Sequence, residues 1–366
     1  MKSLPKSPNL ELLKNEAKTL RKLHHDRNST CCSKIRLYDI SFEGKADQGI
    51  LDANFSTMDS QRIVAREYGY TSWAKLKHYI ESLTDEIYQG VTDKHAYHQV
   101  IADSYDERSK NYNNSFWHRD LATKLVDYAP PVKDQHVLDI ATGTGTIAFY
   151  AAELVGETGS VTGIDLSKGM LATCEEKLNH SELKNMVFMH EDAENLPFEA
   201  CSFDRIYCAS AFFWMSHPLA ALRHWHELLK PNGFVAFHAW PENSEVWGNL
   251  SRIVLKRYGI NFTVHQATGT ENKCRELMEL AGFENIQAHE VKDGHYIKLE
   301  DAKGGLLAES HYSPGQYPHP ITGVPDDIIK KAHAEFDAEV EKLNTEEGVW
   351  HDMSMFYIIG QKENKG

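Results

Sequence analysis

Residues 137–146 read Val-Leu-Asp-Ile-Ala-Thr-Gly-Thr-Gly-Thr, and this decapeptide constrains the chain more than any other stretch. An apolar, β-branched run enters a glycine-spaced turn. An Ala-rich helical pattern (Ile147, Ala148, Ala151, Ala152, Leu154) leaves it. Strand, tight glycine turn and helix is the layout of a nucleotide-binding βα unit. Gly143 and Gly145 let the backbone pass close to a ligand where a Cβ would clash. A second strand, Val161-Thr-Gly-Ile-Asp165, then ends in an acid at the position that grips ribose hydroxyls in such units.

The glycine spacing narrows the nucleotide. A dinucleotide fingerprint, G-x-G-x-x-G, receives a pyrophosphate at the helix N-terminus. This chain has Asp139-x-Ala141-x-Gly143-x-Gly145, with an acid at the strand end and no third glycine at the required offset. A carboxylate there repels phosphate and can receive an ammonium group, directly or through water. The pattern favours a cationic, phosphate-free nucleoside such as S-adenosylmethionine (SAM) over a nicotinamide dinucleotide. A glycine turn that only caps a helix is the bland alternative, and the Asp165 strand weighs against it.

The segments downstream carry a resemblance. Asp139-Ile-Ala-Thr-Gly-Thr-Gly, Gly163-Ile-Asp-Leu-Ser-Lys-Gly-Met170, Glu191-Asp-Ala-Glu-Asn-Leu-Pro-Phe198, Ser202-Phe-Asp204 and Leu229-Lys-Pro-Asn-Gly-Phe234 stand in the order of a class I SAM-dependent methyltransferase. The chain most resembles the ubiquinone/menaquinone-biosynthesis C-methyltransferases and their small-molecule relatives, well over 97–240 and loosely elsewhere. The resemblance implies that Asp139, Ala141, Gly143 and Gly145 surround the methionine part of the cofactor. It implies Asp165 on the ribose hydroxyls, Leu166 and Met170 against the adenine, Asp192 accepting from the adenine amino group, and the Ala193 amide donating to the ring. Ala141 stands where most class I enzymes carry a glycine, a departure that the quinone-type branch tolerates.

At 366 residues the chain is long enough for two units. The reading is a small helical N-terminal domain over 1–90, for docking or partner contact, and a methyltransferase domain over 91–366. The fold class expected for the latter is α/β, a Rossmann-like doubly wound, mostly parallel sheet. Residues 9–25 place Leu10, Leu13, Ala17, Leu20 and His24 at helical spacing, and the polar 27–56 stretch reads as a poorly ordered or short-helical connector. Met58–Ser82 is amphipathic and broken at Gly69, and 97–128 is expected to be helical. Strands are expected at 186–190, 205–210, 234–238, 285–291 and 353–359. A lid-like insertion is expected over 294–350.

Composition excludes some partners. A net charge of −14 argues against a nucleic-acid substrate, since phosphate contacts dominate that affinity. The charge is uneven: residues 1–84 hold 14 Lys/Arg against 10 Asp/Glu, leaving 25 against 43 for the rest. No run is apolar enough to span a bilayer, and the first residues carry no signal core, so no membrane insertion and a cytoplasmic location are expected. The six cysteines show no zinc-ligand spacing, and no metal is expected. Vicinal Cys31-Cys32 reads as two reduced thiols. A homodimer is left open.

In an open α/β sheet the ligand lies beyond the carboxyl ends of the strands. The segments there are Ala209-Ser-Ala-Phe-Phe-Trp-Met-Ser-His217 and Ala239-Trp240. Phe212, Phe213, Trp214, His217 and Trp240 would make a ring-lined pocket for a planar or greasy metabolite, with Tyr105, Tyr112, Trp117 and His118 closing over it. Of 20 histidines, His217 and His238 lie at that edge and are the candidate bases, needed only if the acceptor must lose a proton. The expected activity is methyl transfer from SAM to a small aromatic or apolar metabolite. Two alternatives stay open: a SAM-binding enzyme that does not methylate, and a regulatory protein retaining the nucleoside pocket.

Overall fold

The computed structural model describes residues 10–82, 91–112, 116–244, 246–306 and 314–364. The backbone divides into two compact units, Met1–Glu86 and Ile87–Gly366.

The first unit is helical throughout: α1 (Leu10–His25), α2 (Cys32–Tyr38), α3 (Asp47–Leu51), α4 (Thr57–Glu67) and α5 (Trp73–Ser82). The polar 27–56 stretch takes the short-helical form of the two that the sequence left open. Each start has a local cause. Ser56 accepts from the Asp59 amide while Asp59 accepts from the Ser56 amide, a reciprocal cap that opens α4. Gly69, at φ +86°, follows the end of α4. Leu13, Ala17, Val64 and Leu76 form one small core, and Leu20, Ile35, Ile50 and Ile63 another. Cys31 and Cys32 are buried free thiols. Burial, then the neighbouring Cys32, pushes the Cys31 thiol up to about 11, which leaves it unreactive.

The second unit begins with α6 (Lys94–Arg108) and α7 (Phe116–Tyr128). The single helix expected over 97–128 is broken after Arg108, where the sequence turns to Asn and Ser residues that compete for their own backbone. There follow β1 (His136–Ile140), α8 (Thr146–Val155), β2 (Ser160–Asp165), α9 (Lys168–Asn179), β3 (Met186–His190), β4 (Phe203–Cys208), α10 (Pro218–Leu228) and β5 (Leu229–Ala239). Then come α11 (Val246–Arg257), α12 (Glu271–Ala281), β6 (Phe283–Val291), β7 (Gly294–Ile297), α13 (Leu299–Ala302), α14 (Asp326–Leu343), β8 (Val349–Asp352) and β9 (Met355–Lys362).

Seven strands make one sheet in the order β3-β2-β1-β4-β5-β9-β6. β1 through β5 are parallel, whereas β9 runs antiparallel to both β5 and β6. This is a doubly wound α/β sheet whose order reverses between β1 and β4. Val137, Ala148, Ala152, Val161, Tyr207 and Ile359 lie in its main core. The small residues of α8 allow that helix to pack closely on the sheet. β7 and β8 form a separate antiparallel pair, and α14 packs against α11 through Val254, Leu255, Ala332, Phe336 and Val340. The described residues of the 294–350 excursion therefore form a subassembly joined to α11.

Candidate functional site

A cavity with about 690 Å³ of empty space, counting its open mouth, opens at the carboxyl ends of β1 to β4. Ala141 and Gly143 reach it from the β1 turn, Asp165 and Leu166 from the end of β2, and Asp192, Ala193 and Glu194 from the loop after β3. Ala209, Ser210 and Ala211 follow β4, and Trp214 and Met215 complete that side. His98, Ile101 and Tyr105 of α6, with Tyr112, close it. This is the topological switch point, where two neighbouring strands send their connections to opposite faces and leave a crevice.

The turn after β1 is locally forced. Ala141 sits at φ +52° and Gly143 at φ +57°. A non-glycine residue there is strained, and the strain falls at the ligand-facing bend. Gly145, at φ +87°, caps α8, and a Cβ on it would come within 2.9 Å of the Phe149 ring. It shapes the turn and is absent from the cavity wall.

Six of the nine expected cofactor residues line the cavity: Ala141, Gly143, Asp165, Leu166, Asp192 and Ala193. The other three do not. Met170 is fully buried beneath α9. Asp139 is 2% exposed, and its Oδ2 accepts from the Thr142 hydroxyl at 2.6 Å and the Ala148 amide at 3.1 Å. Asp139 thus stands behind the cavity wall, where its Oδ2 ties the turn to α8. Burial pushes its pKa up to about 7 against those two hydrogen bonds.

Asp165 is arranged differently. One oxygen accepts from the Gly143 amide at 2.9 Å and the other from the Ser167 amide at 2.8 Å. The Leu166 amide also donates to this carboxylate, so at least one of its about four acceptor positions remains for the cavity. Burial pushes this group up to about 6, and hydroxyl donors from a ligand would favour its charged form.

Sequence reasoning missed Glu194. Its carboxylate accepts from the Ser216 amide at 3.1 Å, the Ser216 hydroxyl at 2.7 Å and the His217 amide at 2.8 Å. His98 Nε2 lies 3.3 Å away and Lys94 Nζ 3.8 Å. Burial alone would raise its pKa; the His98 hydrogen bond and the Lys94 charge, with Ser216 and His217, hold it down at about 2. Asp106 escaped notice for the same reason. It accepts from Ser167 Oγ and the Gly169 amide, about 60 residues away, and only the fold brings them together.

His98, Asp192 and Glu194 are the one group among the described residues that brings potential metal ligands together. Lys94 Nζ stands 3.0 Å from Asp192 and supplies the positive charge there. The group is an ion-pair network.

Neither candidate base reaches the cavity wall. His238 is fully buried, with Nδ1 taking the Ser210 amide at 3.1 Å and the ring edge-on to Tyr357. Burial pushes it down to about 3, against a smaller upward pull from the Leu121 backbone, so it is neutral and packed away. His217 is exposed, and its amide, not its ring, holds Glu194. In this geometry the His238 ring packs into the core and the His217 amide holds the loop after β3. Of the expected aromatic wall, Trp214, Tyr105 and Tyr112 line the cavity. Phe212 is core, its ring tilted against that of Phe237 at 4.1 Å between centroids. Phe213 faces a second, smaller cavity with Thr263 and His265. Trp240 is buried beside His265, and His118 packs on Tyr112. The Trp117 side chain lies outside the described residues.

The cavity, its acid at the end of β2 and the strand order define an α/β enzyme that binds a nucleoside rather than a dinucleotide. Residues 137–233 match a family model described as a methyltransferase domain. The demethylmenaquinone methyltransferase of Staphylococcus haemolyticus (strain JCSC1435) is 30% identical over 224 residues, covering 55% of this chain and 89% of that one. The aklanonic acid methyltransferase DauC of Streptomyces sp. (strain C5) is 32% identical over 145 residues, covering 39% of this chain and 66% of that one. Among solved structures, the YcgJ protein of Bacillus subtilis overlays with a TM-score of 0.46 at 18% identity, covering 67% of this chain and 99% of that one. The chain belongs to the class I SAM-dependent methyltransferases, and its cofactor is SAM.

Proposed function

We propose that this methyltransferase acts on a small aromatic or apolar metabolite. The observation that carries the reading is the cavity wall opposite the carboxylates, built from Tyr105, Tyr112, Trp214, Met215 and the small residues Ala209 and Ala211. Such a wall suits a planar acceptor and offers few polar groups to a hydrophilic one. The relatives' names give aklanonic acid and a demethylated menaquinone, small organic molecules, which supports the same class.

In this reading Asp165 receives the ribose hydroxyls, Leu166 packs on the adenine, Asp192 accepts from its amino group and the Ala193 amide donates to the ring. Ala141 and Gly143 leave room for the methionine part. Asp139, Gly145 and Met170 shape the turn from behind. The donor set fits: a half-buried carboxylate with an open acceptor position at the cavity wall, beside a glycine at positive φ whose Cβ would meet nothing nearer than Tyr112, at 3.8 Å. When bound, SAM supplies an electrophilic methyl group for in-line displacement. The residues' task is then to hold the acceptor in line and exclude water, which is a matter of proximity and orientation. The acceptor's own acidity decides whether a base is needed.

The first unit serves partner contact in this reading, and the 294–350 subassembly serves as a lid. Tyr97 gives that lid an anchor: its hydroxyl donates to the Trp214 carbonyl at 3.0 Å and accepts from the Gly315 amide at 2.7 Å. The test is incubation with methyl-labelled SAM and a panel of quinols, phenols and heteroaromatic metabolites. The expected result is one S-adenosylhomocysteine per methylated product. Turnover only with protein or nucleic-acid acceptors would overturn the reading.

A further inference from the structure

The three rings in the cavity wall are mutually arranged. Tyr105 and Trp214 meet edge to face at 6.2 Å, and the Trp214 indole N–H donates to the Tyr105 hydroxyl at 3.1 Å. Tyr112 stands 6.3 Å from Tyr105 and over the glycine turn, its ring edge 3.8 Å from where a Cβ on Gly143 would lie. The exposed guanidinium of Arg108 sits 4.8 Å from the Tyr105 centroid and 5.9 Å from that of Tyr112, so these rings already attract a cation. Among the described residues the cavity is lined by the acids Asp165, Glu191, Asp192 and Glu194 and by no lysine or arginine. Lys94 offsets Asp192 and Glu194, so the ring faces and Asp165 are the features that favour a positive charge there.

We propose that Tyr105, Tyr112 and Trp214 form an aromatic seat for the sulfonium of the cofactor, so that the pocket distinguishes the charged, methyl-bearing form from the neutral thioether left after transfer. The inference rests on the cofactor position argued above. SAM and S-adenosylhomocysteine share their adenosine and amino-acid ends and differ here by one methyl group and one charge. Hydrogen bonds at Asp165 and Asp192 hold both alike. An aromatic face separates them, because the ring quadrupole attracts a sulfonium and has no comparable attraction for a thioether. The seat would retain cofactor before transfer and weaken the hold on product after it. It would also shield the sulfonium from water.

The test compares wild type, Tyr112→Phe and Tyr112→Leu as full-length chains, titrated calorimetrically with SAM and with S-adenosylhomocysteine at fixed ionic strength. Tyr112→Phe keeps the ring face and should preserve the ratio of the two affinities within about twofold. Tyr112→Leu should weaken SAM about five- to thirtyfold while moving S-adenosylhomocysteine less than about threefold. Equal weakening of both ligands, or no weakening of either, would overturn the seat. If wild type binds neither ligand, the cofactor position itself fails; if it binds both and Tyr112→Leu leaves their ratio unchanged, only the seat fails. Should circular dichroism show Tyr112→Leu unfolded, Trp214→Leu is read by the same ratio.

Discussion

Two aspartates near the ends of β1 and β2 are set differently. Under the proposed placement of the cofactor, the ionised Asp165 accepts the ribose hydroxyls more strongly than the neutral acid, so SAM affinity should fall as pH drops through about 6. A flat affinity between pH 5 and 8 would contradict that role. Asp139 faces inward. Its pKa is raised from the ordinary 3.8 to about 7, so the fold prefers it protonated, and its share of stability is lost as pH rises toward 7 and beyond. Asp139→Asn, whose amide oxygen can accept the same two bonds, should match wild type near pH 4 and exceed it at pH 8 by up to about 4 kcal/mol in denaturant melts. A parallel pH course for the two would count against the buried-acid account. The sequence placed both acids at strand ends. It could not tell them apart, because whether Oδ2 meets Thr142 and Ala148 or the cavity depends on side-chain direction, which spacing does not carry.

At the scale of elements, the cavity is held closed by contacts between segments distant in the chain. Glu194 joins the loop after β3 to the Trp214–His217 turn and, through His98 and Lys94, to α6. Removing it leaves several buried donors without an acceptor, so Glu194→Ala should cost about 3–5 kcal/mol in chemical denaturation. A cost below about 1 kcal/mol would show that the network is not needed. Its pKa is depressed from 4.5 to about 2, so its contribution is present above about 4.5 and should be lost as pH falls toward 2. Periodicity located the seven strands of the main sheet and the helices that flank its first strands, because alternation and 3.6-residue repeats are local signals. It missed α11, α12, β7 and β8, the break between α6 and α7, and the Glu194 hub. It also mistook His238 for a site residue, since a histidine at a strand end looks alike in sequence whether it faces the ligand or the core.

For the whole molecule, the division into two units has a direct consequence. Each has its own buried core, and every residue lining the cavity lies between His98 and Met215. A protein of residues 87–366 should therefore fold and bind SAM within about threefold of the full chain, measured by calorimetry. Loss of binding would give the first unit a role in the site. Among the described residues no helix is long and apolar enough to cross a membrane. The βα turn and the acid of β2 made the nucleoside site legible from sequence, because strand-turn-helix geometry is encoded locally. The aromatic cavity wall was legible in part: Trp214, Tyr105 and Tyr112 line it, while Phe212 and Trp240 turned inward to fill the core. The most direct test of the account is calorimetric titration of wild type and Asp165→Ala with SAM. Micromolar binding by wild type and a loss of at least about a hundredfold in the variant is the expected result, the variant having lost the charged acceptor of two hydroxyls. Wild-type affinity in Asp165→Ala would contradict the placement of the cofactor at the end of β2.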